Sequence, residues 1–347
     1  MSNWGAHTSA LATLSTEIKC NAADIALGFL LRSPLAYDFE QFLFRPLPAW
    51  ALANAGAQSE ADAAFQAGAA LGALDTLARA QPAWAGAWRQ RLALKCAAAS
   101  MRLAGRAEDE AALRDAWQLC PAGAEPGPAG AIFGAWRQLA LQPPAVSADR
   151  LAKVVEMLGL AWDDEALADL STKIEDVAGS QRPAPFAAAA IAARVVAMRP
   201  DAELLAWWLA DLVLAQNLRW PRPLPLLMAQ VFGPAFRTEG GGQRIRPGGK
   251  GFERAVCVAL VHAATEACRL ASELARRAER LMAVTPKLRA KGADDVIFLL
   301  LNEDAVSGSL VTKNLSRFAA RRLFERLQQL EAVRELSGRA SFRLFGL

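Results

Sequence analysis

The chain is short of the residues that much enzyme chemistry and several fold classes require. Its 347 residues include two histidines, one tyrosine and five cysteines. The cysteines are odd in number and form no closely spaced pair, so they predict reduced thiols and no disulfide framework. β-Branched residues are sparse, and alanine, the residue with the highest helix propensity, supplies much of the 53% hydrophobic content. We therefore predict an all-α fold that is long enough to bury a core without disulfides or metals.

Segments that direct a chain into or across a membrane are also missing from the pattern. The N-terminus has no basic patch followed by an apolar core, which predicts that there is no signal peptide. The most apolar stretch runs from Pro185 to Met198 and is interrupted by Arg194. It is shorter than the ~20 apolar residues that a spanning helix needs. These features predict a soluble, cytoplasmic protein with no membrane partner.

Catalytic and metal-binding patterns are equally scarce. Of the two histidines, His7 lies near the N-terminus, and His262 lies four residues before Glu266. That spacing places two metal ligands on one helix face, but no further ligand is identifiable, and a buried, hydrogen-bonded histidine is the favoured interpretation. No G-x-S-x-G or C-x-x-C motif has a supporting context. We predict a protein that is not an enzyme and needs neither a metal nor a cofactor.

A multi-helix body is predicted over residues 1–285, with a possible internal boundary near 179–185. Helices are predicted from Asn21 to about Leu31, from Ser59 onwards between Pro- and Gly-rich breaks, and from Phe252 to Ala283. Trp207 and Trp208 are adjacent in one of these helices and therefore point about 100° apart. Core packing is the favoured role for both. A Trp-lined ligand pocket is the alternative.

The least regular part of the body is the loop Phe236–Gly251. It carries Gly240-Gly241-Gly242, Gly248-Gly249 and three cations: Arg244, Arg246 and Lys250. Glycines that let backbone amides approach an anion, beside basic side chains, predict an anion-binding loop. The spacing does not match the phosphate-binding pattern G-x-x-x-x-G-K-[ST]. A mobile surface loop is the alternative interpretation.

Positive charge is concentrated at the C-terminus. From Lys287 to Leu347 there are eleven Lys and Arg against seven Asp and Glu, a balance of +4 that equals the net charge of the whole chain. The remainder of the chain is therefore neutral. A basic end on a neutral body is typical of nucleic-acid binding. The alternative is an ordinary solvated helical face.

The same C-terminal stretch, 286–347, has the order of a winged helix-turn-helix. The apolar run Val296–Leu301 predicts a first helix, and Ala305–Thr312 predicts a second, short one. Ser316 has the chemistry of an N-cap for a longer helix, whose apolar spacing includes Ala320, Leu323, Phe324, Leu327 and Leu330. Ser337-Gly338 and Phe342–Phe345 predict the turn and return strand of a short β-hairpin. In such an arrangement the longer helix enters the major groove of DNA.

Two sets of residues also resemble known families. Leu315–Phe324 and Val333–Arg339 resemble the winged-helix tail of bacterial Fic-type proteins and related regulators. Trp220–Leu227 and Pro286–Gly292 resemble an uncharacterised bacterial family of Ala-rich helical proteins with the same tail, and that resemblance brings no assigned activity. Fic activity would imply a catalytic histidine in H-x-F-x-[DE]-G-N-[GK]-R. The nearest stretch, Phe236–Arg244, has neither the histidine nor the asparagine, so general-base chemistry has no candidate there.

These observations predict a protein that binds double-stranded DNA, as a transcriptional regulator or a plasmid- or mobile-element-associated factor. The predicted major-groove residues are Arg317, Phe318, Arg321 and Arg322. The predicted contacts around the helix start are Lys313, Asn314 and Ser316, and those of the wing are Arg339 and Arg343. Analogy with other helix-turn-helix proteins predicts a possible homodimer. The alternatives are a helical scaffold whose winged helix binds a protein partner, and a ligand-sensing regulator.

Overall fold

A computed structural model of the chain describes residues 59–121, 123–238, 242–339 and 342–347. The helix predicted from Asn21 lies outside the described residues, as do His7 and Cys20. Within the described ranges the protein has eleven α-helices and one small three-stranded sheet. The prediction of a mostly helical fold is therefore confirmed.

Nine of the described helices form the body. They are α1 (Glu60–Ala80), α2 (Ala85–Leu103), α3 (Glu110–Gln118), α4 (Gly127–Leu141), α5 (Ala148–Met157), α6 (Asp164–Gly179), α7 (Ala184–Met198), α8 (Glu203–Asn217) and α9 (Phe252–Val284). Several begin at side chains that satisfy free backbone amides. Ser59 and Asp62 form a capping box at α1, and Asp109, Ser147 and Asp163 cap α3, α5 and α6. The possible boundary near 179–185 falls between α6 and α7.

Tryptophans fill the centre of the body. Helices α7 and α8 pack as an antiparallel pair, α1 packs along α9, and α2 packs against α4. Trp88, Trp136, Trp207 and Trp208 are all buried. Their indole N–H groups all donate hydrogen bonds, for example from Trp208 to the carbonyl oxygen of Ala135 at 2.9 Å. Core packing of Trp207 and Trp208 is confirmed, since they are 0% and 1% exposed.

Helix α9 is the longest element described. Together with the following 3₁₀ turn it spans Phe252–Lys287, which is long and apolar enough to cross a membrane by length and composition alone. Within its most apolar window, 61% is buried against the rest of the chain. A core helix of a folded protein has the same properties.

A buried carboxylate holds the proline-rich connection that follows α8. Asp211 is fully buried, and its side-chain oxygens accept hydrogen bonds from the backbone N–H groups of Leu226 at 2.8 Å and Leu227 at 3.1 Å. Burial raises the pKa of Asp211 to about 8, although the two N–H donors act in the opposite direction. Asp211 thus fixes the position of a segment that has no regular secondary structure of its own.

The C-terminal segment contains two helices and the three-stranded sheet. Its elements are α10 (Ala293–Asn302), β1 (Val306–Ser307), α11 (Arg317–Gln329), β2 (Arg334–Glu335) and β3 (Leu344–Gly346). Strand β3 lies between β1 and β2 and is antiparallel to both. The hairpin predicted after Val333 is therefore confirmed, with Gly338 at a positive φ of 60° in its turn.

The prediction of a short helix over Ala305–Thr312 is wrong. Val306 and Ser307 instead pair with Phe345 and Leu344 as a strand, and turns follow up to Leu315. The reason lies partly in Gly308, where a β-carbon would lie 2.7 Å from the Phe345 ring. That ring packs directly on the glycine backbone, so tertiary packing decides the conformation of a segment with weak helix propensity.

Candidate nucleic-acid interface

The C-terminal segment is held on the body by a buried ion cluster. Asp304 follows α10 and is 2% exposed. Its carboxylate accepts from Arg91 of α2 and, at 2.5 Å, from the Nε of Arg114 of α3. Burial alone would raise the pKa of the Asp304 carboxyl, but the two guanidinium groups outweigh burial and hold that pKa below its ordinary value. The cluster stays charged and fixes where the segment sits.

Further polar contacts surround this cluster. Arg137 of α4 pairs with Glu303 at 2.7 Å, and Gln118 of α3 donates to the carbonyl oxygen of Ala305 at 2.8 Å. A β-carbon on Gly86 would lie 2.6 Å from the Cα of Asn302, which shows how closely α2 approaches the end of α10. The predicted boundary at 285/286 falls in the 3₁₀ turn between α9 and α10, while the hydrophobic core is continuous across it.

Helix α11 presents the predicted major-groove residues to solvent. Ser316 is its N-cap and accepts from the backbone N–H of Ala319 at 3.3 Å, as predicted. The buried face of α11 consists of Ala320, Leu323, Phe324 and Leu327. Arg317, Phe318, Arg321 and Arg322 lie outside this buried face in the first two turns, and all four are exposed. Phe318 is 71% exposed, which is uncommon for a large apolar side chain.

Contacts with α10 and with the residue before it fix the position of the turn before α11. The hydroxyl of Thr312 donates to the Asp295 carboxylate of α10 at 2.7 Å. Gly292 has a positive φ of 85°, and a β-carbon there would lie 3.0 Å from the backbone of Asn314. Lys313, Asn314 and Ser316 are exposed beside this contact. The structure thus brings the predicted contacts around the helix start next to those on α11.

The predicted wing contacts have partners within the protein. The guanidinium group of Arg343 lies 2.6 Å from Glu335 on β2 and donates to Gln328 of α11 at 2.8 Å. Arg339 pairs with Asp115 of α3 at 2.8 Å. A shallow depression between them is lined by Glu335, Gly338, Arg339 and Arg343. Its positive charges are therefore offset by nearby carboxylates.

A second depression, which we call the basic groove, runs between the α9–α10 connection and α11. It has a volume of about 600 Å³, with Leu288, Ala290, Ala319 and Leu323 among its apolar lining residues. Asn314 and Ser316 also line it, and its remaining lining residues are Lys287, Arg289, Lys291, Arg322 and Arg326. These five cations form no ion pair within the described part of the chain, and no carboxylate lines the groove.

Four cations of the basic groove were not among the predicted site residues: Lys287, Arg289, Lys291 and Arg326. The sequence does carry a signal for the first three, since K-x-R-x-K repeats a cation at every second position just after a long helix. Their position opposite α11 depends on the close approach of Gly292 to Asn314, which is a contact between residues distant in sequence.

The cations of the predicted anion-binding loop face a carboxylate. Arg244 makes two hydrogen bonds to Glu203 of α8, at 2.5 and 2.8 Å, and Arg246 makes one at 3.2 Å. Burial disfavours the charged form of Glu203, but Arg244, together with hydrogen bonds from Trp207 and Arg246, outweighs burial and holds the pKa of this carboxyl below its ordinary value. Lys250 is exposed. Glu203 thus neutralises positive charge that would otherwise attract an anion to this loop.

Within the described residues, His262 does not belong to a group of potential metal ligands. Glu266, four residues after His262, pairs with Lys95 at 2.7 Å and accepts from Gln230 at 3.1 Å. Within the described ranges no three His, Cys, Asp or Glu side chains are grouped to hold a metal ion. The basic groove and the exposed face of α11 are therefore the surface with the most distinctive chemistry in the described chain.

Comparison with known proteins places the chain in a family without assigning an activity to it. No curated protein and no solved structure matches the chain significantly. The model of a protein family of unknown function, DUF1403, matches residues 38–347. Because this match covers most of the sequence, the chain belongs to the DUF1403 family.

Proposed function

We propose that the protein binds double-stranded DNA through the exposed face of α11. The observation that carries the proposal is the grouping of Arg317, Arg321 and Arg322 around Phe318 on the first two turns. None of the three arginines is ion-paired within the described residues. Arginine reads guanine and contacts phosphate, and an exposed phenylalanine makes apolar contact with the thymine methyl group.

The topology around α11 supports the same proposal. The order α10, β1, α11, β2, β3, with β3 between the other two strands, is compatible with a winged helix that lacks a helix between β1 and α11. In helix-turn-helix proteins the N-terminal residues of the recognition helix contact the base edges. Here the basic residues occupy that end, and the first exposed acid of the helix, Glu325, lies a turn further on.

A protein-binding scaffold is the second candidate, and a separate observation favours it. Phe318 and Val311, at 71% and 63% exposed, are two large apolar side chains close to the start of α11. Exposed apolar residues of this kind are common in protein interfaces. The scaffold proposal differs in one measurable respect, because apolar contacts do not weaken steeply as salt is added.

The proposal is tested by the affinity of the full chain for labelled random-sequence duplex DNA at low salt. We expect the variant Arg317→Ala/Arg321→Ala to bind roughly tenfold to a hundredfold more weakly than the wild type, because two phosphate or base contacts are lost. The matched control is Lys153→Gln/Arg194→Gln, which removes the same charge from helices α5 and α7 of the body. Equal affinity of the two variants would contradict the proposal, and so would a wild type that does not bind.

A further inference from the structure

We infer that the basic groove is the main phosphate-binding site of the protein and holds the backbone of one DNA strand beside α11. This inference rests on the proposed function, and it replaces the predicted role of the wing. The groove is defined by the α9–α10 connection on one side and α11 on the other.

The first argument is that the groove brings cations together without a carboxylate among its lining residues. Lys287, Arg289 and Lys291 are exposed, lie two residues apart along the connection and all line the groove. Arg322 and Arg326 face them from α11. Of the nearby acids, Asp295 accepts the Thr312 hydroxyl and lines no part of the groove. Cations brought together without a carboxylate repel one another, and a bound polyanion relieves that repulsion.

The second argument is the shape and lining of the groove. Its apolar residues, such as Leu288 and Leu323, keep the cations along its two sides, where they can meet successive phosphates of one strand. The N-cap Ser316 and Ala319 of the first turn of α11 also line the groove. Partial positive charge at a helix N-terminus favours phosphate in addition to the side chains. Phosphates held here lie directly beside the bases that α11 would contact.

The third argument is the contrast with the wing. Arg339 pairs with Asp115, and Arg343 with Glu335, so a phosphate at either arginine has to compete with a carboxylate already in place. Each cation of the groove is free of such a partner in the described chain. Phosphate contacts determine the register of a protein on DNA, so the groove would set how α11 is oriented in the major groove.

The experiment compares the salt dependence of duplex binding by the full chain and two variants. Lys287→Gln/Arg289→Gln/Lys291→Gln removes three cations of the groove, and Arg339→Gln removes the predicted wing contact. We expect the log–log slope of affinity against salt to become shallower by about 2 to 3 in the triple variant and to stay unchanged in Arg339→Gln. Unchanged far-UV circular dichroism and urea midpoints show that the variants remain folded.

Each remaining outcome has a definite meaning. If the wild type binds and Arg317→Ala/Arg321→Ala weakens it, but the triple variant keeps the wild-type slope, the groove inference is overturned while the proposed function stands. A shallower slope for Arg339→Gln alone would place the phosphate contacts on the wing and overturn the inference as well. If inorganic phosphate competes with duplex at equal phosphate concentration, the groove is a site for single phosphates, which also overturns it.

Discussion

The buried cluster at Asp304 gives the sharpest prediction about stability. The substitution Asp304→Asn keeps the size of the side chain and removes its charge. The side chains of Arg91 and Arg114 are only 5% and 12% exposed, so water cannot replace the lost carboxylate. Arg91 would then be left as a buried, uncompensated charge, and Arg114 would keep only its pair with the more exposed Glu110 at 3.6 Å.

The expected cost follows from that burial. Breaking a buried ion pair by removing one partner costs about 3–5 kcal/mol, whereas an exposed pair contributes about 0–1 kcal/mol. The matched control is Glu253→Gln, which breaks the pair between Arg182 and Glu253, whose side chains are 44% and 39% exposed. With an m value of about 3 kcal/mol/M in urea, Asp304→Asn should lower the unfolding midpoint by about 1 to 1.7 M.

The assay is urea unfolding followed by far-UV circular dichroism at neutral pH. Because the folded-state pKa of Asp304 is lowered, its stabilisation is present above the unfolded value of about 3.9 and is lost as pH falls through the folded pKa. The difference between wild type and Asp304→Asn should therefore shrink in acid. A midpoint for Asp304→Asn within about 0.3 M of that for Glu253→Gln would refute the reasoning.

Two further predictions concern the core. Phe324 is fully buried and stacks on Phe345 with ring centroids 4.7 Å apart. The substitution Phe324→Ala should therefore lower the free energy of unfolding by about 3–5 kcal/mol. The control Phe318→Ala, on the exposed side of the same helix, should change it by no more than about 0.5 kcal/mol. Similar urea midpoints for the two variants would contradict the assignment of the faces of α11. Because the pKa of buried Asp211 is raised to about 8, its contribution is fully present below its unfolded pKa and is lost as pH rises through 8. The free energy of unfolding should fall by up to about 1.4 kcal/mol per pH unit between about pH 5 and 8, and the fall should be smaller in Asp211→Asn. A wild-type urea midpoint that stays level or rises over this pH range would contradict the prediction.

Local sequence signals were sufficient for most of the helices. Ser59, Ser147 and Asp163 cap helices as their chemistry predicts, and the helix predicted over Phe252–Ala283 is α9, one residue longer. Capping and apolar periodicity act within a few residues, so a single sequence carries them. Core packing was the favoured interpretation of Trp207 and Trp208, and both are buried.

The errors and omissions involve contacts between distant residues. Within the segment Ala305–Thr312, Val306 and Ser307 form a strand and turns follow, because the segment packs against Phe345, about forty residues away in sequence. The partners of Arg339 and Arg244, namely Asp115 and Glu203, are likewise remote in sequence. Composition places positive charge at the C-terminus, but it cannot tell which cations are neutralised by the fold. Neutralisation by carboxylates distinguishes the predicted wing contacts, Arg339 and Arg343, from the cations of the basic groove.

The central claim, that the exposed cations beside and along α11 bind duplex DNA, is tested most directly by the salt dependence of wild-type affinity. With Lys313, Arg317, Arg321, Arg322 and the basic groove free of carboxylate partners in the described chain, we expect a log–log slope of about −4 or steeper. Binding that weakens along such a slope, and less steeply in Arg317→Ala/Arg321→Ala, is the predicted result. Absence of binding at low salt, or affinity that is insensitive to salt, would contradict the account and favour a protein partner for Phe318 and Val311.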